Sequence, residues 1–280
     1  MLTPTMLRAV LQRAESIARG SGAVLLEGWR RVRRREPIHT QFKSSPFDPV
    51  TEYDHRSEAF IVAALRDSFP DHCVVGEEGG DYRADCSARL QWQIDPLDGT
   101  VNFSHGFPCF AVSLGLLLDG EPILGVVYDP VHDELFAAAR GLGATLNGHP
   151  ILVSETAELS RSLLSTGFPY QRACNPRNNI RECGRFVLRA QELRRMGSAA
   201  LDLCWVACGR TDGYWELDVR PHDIAAGIVM VREAGGQVSD TQGGLEMLAR
   251  GEVVASNGRI HQAMLRLLQS EEDLEPVASC

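Results

Sequence analysis

Asp95, Asp98 and Thr100 lie within one short stretch, Trp92-Gln93-Ile94-Asp95-Pro96-Leu97-Asp98-Gly99-Thr100. Carboxylates this close repel one another, and sharing a site raises at least one pKa unless a cation stands between them. A hard divalent cation such as Mg²⁺ meets that need with oxygen ligands. A helix opening at Gly99 or Thr100 would add free amides and a positive dipole end, which suit a phosphate. Metal plus phosphate is the chemistry these residue types point to. The plainer alternative is a pair of aspartates capping a turn.

The elements around the stretch fit either reading. Residues 90–94 form an apolar run expected to be a buried strand. That strand is expected to end at Asp95, because Pro96 has no amide hydrogen and a fixed φ. Asp98-Gly99-Thr100 then reads as a helix start, with Asp98 or Thr100 as cap. Two more segments favour the metal. Val74-Val75-Gly76-Glu77-Glu78 is a short strand ending in acids, and open α/β sheets collect ligands beyond the carboxyl ends of strands. Pro221-His222-Asp223-Ile224 opens a helix expected to reach about residue 234, with Asp223 where the dipole favours an anion. Glu77, Asp95, Asp98 and Asp223 together suffice for a site with two or more metals.

A fourth segment completes the pattern: Lys43-Ser44-Ser45-Pro46-Phe47-Asp48-Pro49-Val50-Thr51-Glu52-Tyr53-Asp54. With Gly76-Glu77-Glu78, the Asp95–Thr100 block, Gly197-Ser198-Ala199-Ala200, Glu216 and His222-Asp223-Ile224, it resembles the inositol monophosphatase family over nearly the whole chain, about residues 7–268. The resemblance implies Mg²⁺-dependent, lithium-sensitive hydrolysis of a phosphate monoester, with two or three Mg²⁺ per site. It places the first metal on Glu77, Asp95 and the Leu97 carbonyl, and the second on Asp95, Asp98 and Asp223. Gly99 and Thr100 amides would hold the phosphate. Asp54 would act through the Thr100 hydroxyl to take a proton from water, with Glu77 also in the catalytic set. Asp54 also suits an N-cap for a helix expected over 57–68.

Substrate contacts implied by the family are Gly197, Ser198, Ala199, Glu216 and Asp98. Lys43 and Asp48 belong to a lid-like loop. The sequence departs from the family at His222, where Trp is usual. That puts the leaving-group preference in doubt, and the imidazole reads as a packing residue, a partner orienting Asp223 or a substrate contact. Glu216 and the short Gly197 turn favour myo-inositol 1-phosphate. Histidinol phosphate, fructose 1,6-bisphosphate and phosphoadenosine phosphate are the rivals. A different class is a regulatory protein contacting transcription machinery, for which the basic cluster Arg30 to Arg35 is the one feature in favour.

Composition narrows the class. The chain has 280 residues and a formal charge of −9, which argues against a general nucleic-acid binder. The expected partners are a small phosphorylated polyol and, from the family, a second copy in a homodimer. The eight cysteines include no C-x-x-C pair, so a reducing cytoplasm is the expected location. The N-terminus lacks a signal-peptide core, and the longest apolar run, 110–118, is too short to span a bilayer.

Helical periodicity covers 6–32 and 57–68. Strand-like segments at 109–118, 122–128, 134–139 and 144–146, divided by turn residues, predict an antiparallel meander. After Pro150, strands alternate with helices, which predicts an α/β layer. The expected fold class is α+β: a half over 1–150 carrying the lid loop and metal motif, a half over 151–270, and a frayed acidic tail at 271–280. The resemblance specifies this as an αβαβα layered sandwich of the inositol monophosphatase and fructose-1,6-bisphosphatase type.

Overall fold

Helix α1 (Pro4–Arg33) starts where the Thr3 hydroxyl accepts the Met6 amide hydrogen at 3.3 Å, with proline in the first turn. Leu7, Ala14, Ile17, Ala18 and Leu25 recur at helical spacing and are buried. Strands β1 (Thr40–Phe42) and β2 (Pro49–Thr51) pair antiparallel and hold the lid-like loop between them. Helix α2 (Glu52–Ser68) follows directly. The computed structural model describes residues 3–43, 45–79 and 88–270, so the tail at 271–280 lies outside the described residues.

A seven-stranded sheet comes next, built from β3 (Cys73–Gly76), β4 (Leu90–Asp98), β5 (Ala111–Leu118), β6 (Glu121–Asp129), β7 (Glu134–Ala139), β8 (Gly143–Leu146) and β9 (His149–Pro150), in that spatial order. The short helix α3 (Thr100–Ser104) interrupts it after β4. Only the β3–β4 pair is parallel; the rest is the expected meander. The second half contains β10 (Leu163–Thr166), α4 (Ile180–Val187), β11 (Glu192–Arg194), α5 (Ala199–Ala207), β12 (Gly213–Leu217), α6 (Pro221–Glu233), β13 (Gln237–Ser239), α7 (Met247–Arg250), β14 (Glu252–Ser256) and α8 (His261–Gln269). Its sheet runs β11-β10-β12-β14-β13. The β10 pairs are parallel, whereas the β14 pairs are antiparallel. Alternating elements therefore build a mixed sheet, not a purely parallel one.

These elements stack as α, β, α, β, α. Helices α1 and α2 cover one face of the large sheet; α5 and α6 lie between the two sheets; α4 and α8 close the far side. Three apolar clusters fill the interfaces, centred on Trp92 and Ile61, on Leu203 and Ile228, and on Phe186 and Trp215. Close approach fixes α6. A Cβ on Gly125 of β6 would stand 2.3 Å from the Ala226 carbonyl oxygen, so only glycine lets the helix rest on the strand backbone. That seating brings the α6 N-terminus, with Asp223, to the end of β4.

Two local expectations are corrected. Strand β4 does not end at Asp95; it continues through Pro96 to Asp98, with its register against β5 shifting between Asp95 and Asp98. Proline lies inside that irregularity, where a missing amide costs no ladder bond. Helix α2 begins at Glu52, not near residue 57. Its cap is Thr51, and Asp54 completes a capping box. Among the described residues, no helix is long and apolar enough to cross a membrane, and all six cysteines are free.

Candidate active site

The carboxyl ends of β3 and β4, the start of α6, the end of β12 and the start of α5 meet around one cavity of about 380 Å³. Glu77, Asp95, Asp98, Glu216 and Asp223 all line it, although they are scattered between positions 77 and 223 of the chain. Lys43, Asp48, Leu97, Gly99, Thr100, Gly197, Ser198, Ala199 and His222 line it too. Asp54 lies behind this wall, fully buried, and reaches it through Thr100.

Burial and mutual repulsion dominate the electrostatics. Burial pushes Asp95 well above the usual carboxylate range, and the charges of Glu77, Asp98 and Asp223 add to the effect. Asp98 is raised to about 7 by burial, against the opposing bond from Ser198. Asp223 is raised by burial, and the neighbouring His222 works the other way. Glu77 is the exception. Burial acts to raise it, but Lys43 and His222 outweigh burial and hold it below its usual value. Lys43 Nζ donates to Glu77 Oε1 at 2.8 Å and to Glu78 Oε1 at 2.7 Å.

This donor set fits divalent cations. Acids held in one cavity at raised pKa gain their charged forms when a cation neutralises their neighbours. All the donors are hard oxygens, as Mg²⁺ prefers. The fit is not a closed cage: among the described residues, no three His, Cys, Asp or Glu side chains are arranged to hold one ion. Their oxygens have other partners. Asp95 Oδ1 accepts the Leu97 amide hydrogen at 2.9 Å, Asp223 Oδ2 accepts that of Arg220 at 2.6 Å, and Lys43 occupies Glu77. Asp98 Oδ2 accepts from the Ser198 hydroxyl at 2.6 Å and the Ala200 amide at 2.7 Å. Ser198 thus serves Asp98 while also capping α5.

The Thr100 hydroxyl lies 2.9 Å from Asp54 Oδ1 and 3.0 Å from the Leu97 carbonyl oxygen. Its single hydrogen serves one of them at a time. The other Asp54 oxygen accepts from the Thr51 amide at 2.7 Å and the Thr51 hydroxyl at 2.6 Å. Burial nevertheless raises Asp54 to about 7, with the Thr51 bonds opposing and the Glu78 and Glu77 charges adding to the rise. Asp54 is therefore both the partner that completes the Thr51 capping box and a carboxyl poised near neutrality.

Gly99, with φ of +97°, precedes the helix and supplies no side-chain cap, and neither Asp98 nor Thr100 caps it. Helix α3 has five residues, so an anion at its start would be held by individual amides more than by a summed dipole. Asp48 shapes the lid-like loop with its backbone, its carbonyl accepting the Lys43 amide hydrogen at 2.9 Å. His222 Nε2 stands 3.4 Å from Asp223 Oδ1.

Sequence reasoning missed several residues. Tyr214 donates its hydroxyl hydrogen to Glu216 Oε2. Burial raises Glu216 to about 7 despite that bond. The period-2 relation of Tyr214 and Glu216 on a strand was the available signal. Arg195, Tyr170 and Arg220 also line the cavity. Asn102 Nδ2 donates to the carbonyls of Cys109 and Met196, each at 2.7 Å, tying α3 to the Gly197 turn. Nothing in local spacing announces that contact.

An α-β-α-β-α sandwich with acids gathered between its sheets defines a phosphatase class, and the sequence profile of the Inositol monophosphatase family matches residues 6–273. The chain belongs to that family and is a phosphatase. It is 44% identical over 268 residues to the Inositol-1-monophosphatase of Synechocystis sp., covering 96% of this chain and 91% of that protein. It is also 44% identical over 224 residues to the Nus factor SuhB of Escherichia coli K12, covering 80% and 84%. The solved inositol monophosphatase from Anabaena (Nostoc) sp. superposes with a TM-score of 0.84 at 44% identity, covering 94% of this chain and 96% of that one.

Proposed function

We propose that this phosphatase hydrolyses the phosphate ester of a small polyol, myo-inositol 1-phosphate, with two or three Mg²⁺ bound among Glu77, Asp95, the Leu97 carbonyl, Asp98 and Asp223. The observation that carries the reading is Glu216, a carboxylate positioned by Tyr214 in the same cavity as the acid cluster. An acceptor so placed rewards a substrate bearing hydroxyls and penalises one without them. When bound, the divalent ions neutralise the phosphate oxygens and make water easier to deprotonate. The Thr100 hydroxyl, which donates to Asp54 at 2.9 Å, would take a proton from the attacking water as its own proton passes to Asp54, so that Asp54 ends protonated and Thr100 neutral. The Gly99 and Thr100 amides orient the phosphate, and the Gly197-Ser198-Ala199 turn supports Asp98 and the polyol. A homodimer in the cytoplasm is part of the proposal, carried by the family resemblance.

The SuhB relatives favour a second role in contacting transcription machinery. The basic cluster supports it less than its composition suggests, because Arg31 is already engaged with the Tyr53 hydroxyl at 3.1 Å and the Pro37 carbonyl at 2.8 Å. A phosphate-release panel tests the main reading. With Mg²⁺, kcat/KM is expected to be at least about tenfold higher for inositol 1-phosphate than for histidinol phosphate, fructose 1,6-bisphosphate or phosphoadenosine phosphate, the margin one set of hydroxyl contacts supplies. A histidinol phosphate preference that vanished in His222→Ala would reverse the ranking.

A further inference from the structure

A second cavity of about 510 Å³ adjoins the acid-lined one, sharing Phe168, Tyr170 and Arg195 with it. Its charge is opposite. Among the described residues no Asp or Glu lines it, whereas Arg172, Arg195 and His105 do, with Phe42 and Phe47 supplying aromatic walls. The Arg172 guanidinium sits over the Phe47 ring, 4.5 Å from its centroid, which aims a planar cation across the cavity wall. Arg195 stands at the junction. Its Nη1 lies 2.5 Å from where a Cβ on Gly197 would be, and its charge is the smallest of the influences on Glu216, acting against burial there.

Two guanidiniums on a cavity that no described Asp or Glu lines suit an oxyanion, which guanidiniums bind through paired, geometrically matched hydrogen bonds. The scissile phosphate is not that oxyanion, because it belongs among the acids and their cations in the first cavity. We propose that the second cavity is a subsite for another anionic group on the same substrate, a phosphate or a carboxylate, with Arg195 and Arg172 as its contacts. The inference rests on the polyol-phosphate reading and refines its substrate class. The enzyme prefers a bis-anionic ester to the mono-anionic ester of the same polyol.

The test compares kcat/KM for inositol 1-phosphate and inositol 1,4-bisphosphate, and for fructose 1-phosphate and fructose 1,6-bisphosphate, in Mg²⁺. The wild type is expected to favour the bisphosphate of at least one pair by about tenfold, the discrimination that charge-assisted hydrogen bonds from an exposed Arg195 and a half-buried Arg172 support. Arg195→Ala and Arg172→Ala are each expected to collapse that ratio, mainly through KM, and Arg195→Lys to restore part of it. A merely structural role for either arginine would lower both members of a pair alike and leave the ratio unchanged, overturning the proposal. Equal use of mono- and bisphosphate by the wild type would also overturn it. So would activation of monophosphate hydrolysis by added sulfate without a bisphosphate preference, which would place a separate ion in the cavity. Turnover of the fructose pair alone, with the bisphosphate preferred, would sink the inositol reading and leave the second-anion subsite standing.

Discussion

Asp95→Asn is expected to lower kcat/KM by about 10³-fold or more, equivalent to about 4 kcal/mol of lost transition-state stabilisation. Asp95 is the carboxylate on which both proposed metal positions depend, and it lies between Glu77, Asp98 and Asp223. Asparagine keeps the side chain's size and the oxygen that accepts the Leu97 amide hydrogen at 2.9 Å. It removes the charge and turns the second oxygen into an NH2 donor that cannot ligate a cation. A charge buried among like charges destabilises the metal-free fold, so the variant is expected to melt no lower than wild type in EDTA. The rise in melting temperature caused by Mg²⁺ should shrink in the same variant, because ligand binding stabilises in proportion to affinity. Phosphate release and thermal melts with and without Mg²⁺ check both halves. A variant that turned over normally would remove Asp95 from the metal site.

Thr100→Ala is expected to lower kcat by about 10²- to 10⁴-fold, the range for loss of a positioned proton acceptor, with Thr100→Ser retaining most of the rate. The pair can act only while Asp54 is ionised. Burial raises its pKa to about 7, so the rate should fall as pH drops through that region and rise as pH climbs through it. Bound cations nearby favour the carboxylate, so the limb in saturating Mg²⁺ is expected at or below pH 7. Asp54→Asn should abolish that limb. A pH–rate profile unchanged by Asp54→Asn would show that the titrating group lies elsewhere. Fold damage is the other concern at this position, because Asp54 also completes the α2 capping box with Thr51; a melting curve separates the two effects.

The acids of the site were legible because each follows a recognisable local stop: a strand ending at Gly76 before Glu77, the irregular end of β4 around Asp95 and Asp98, and Pro221 before Asp223. The meander was legible from turn residues and period-2 patterning. The course of β4 past Pro96 was not, since the sequence shows a proline but not the register shift that accommodates it. The mixed second sheet was hidden for a similar reason. Strands such as β12 and β14 are apolar on either pairing, and which neighbour they take is decided by the helices packed across them. The Ser198–Asp98 and Asn102–Met196 contacts join residues nearly a hundred positions apart. Only the stacking of α5 and α6 between the sheets brings them together. Arg195 was overlooked because an arginine beside another arginine reads as ordinary solvated charge; its meaning comes from its place at the junction of the acid-lined cavity and a second one that no described Asp or Glu lines.

Crystals grown with Mn²⁺ in place of Mg²⁺, and examined by anomalous scattering, give the most direct measurement. Manganese is an oxygen-seeking divalent ion that suits the same carboxylates. The expected result is anomalous density in the acid-lined cavity, among Glu77, Asp95, Asp98 and Asp223, which is lost in Asp95→Asn. An empty cavity at Mn²⁺ concentrations that sustain phosphate release, or manganese bound only elsewhere on the molecule, would contradict the metal-centred account of this site.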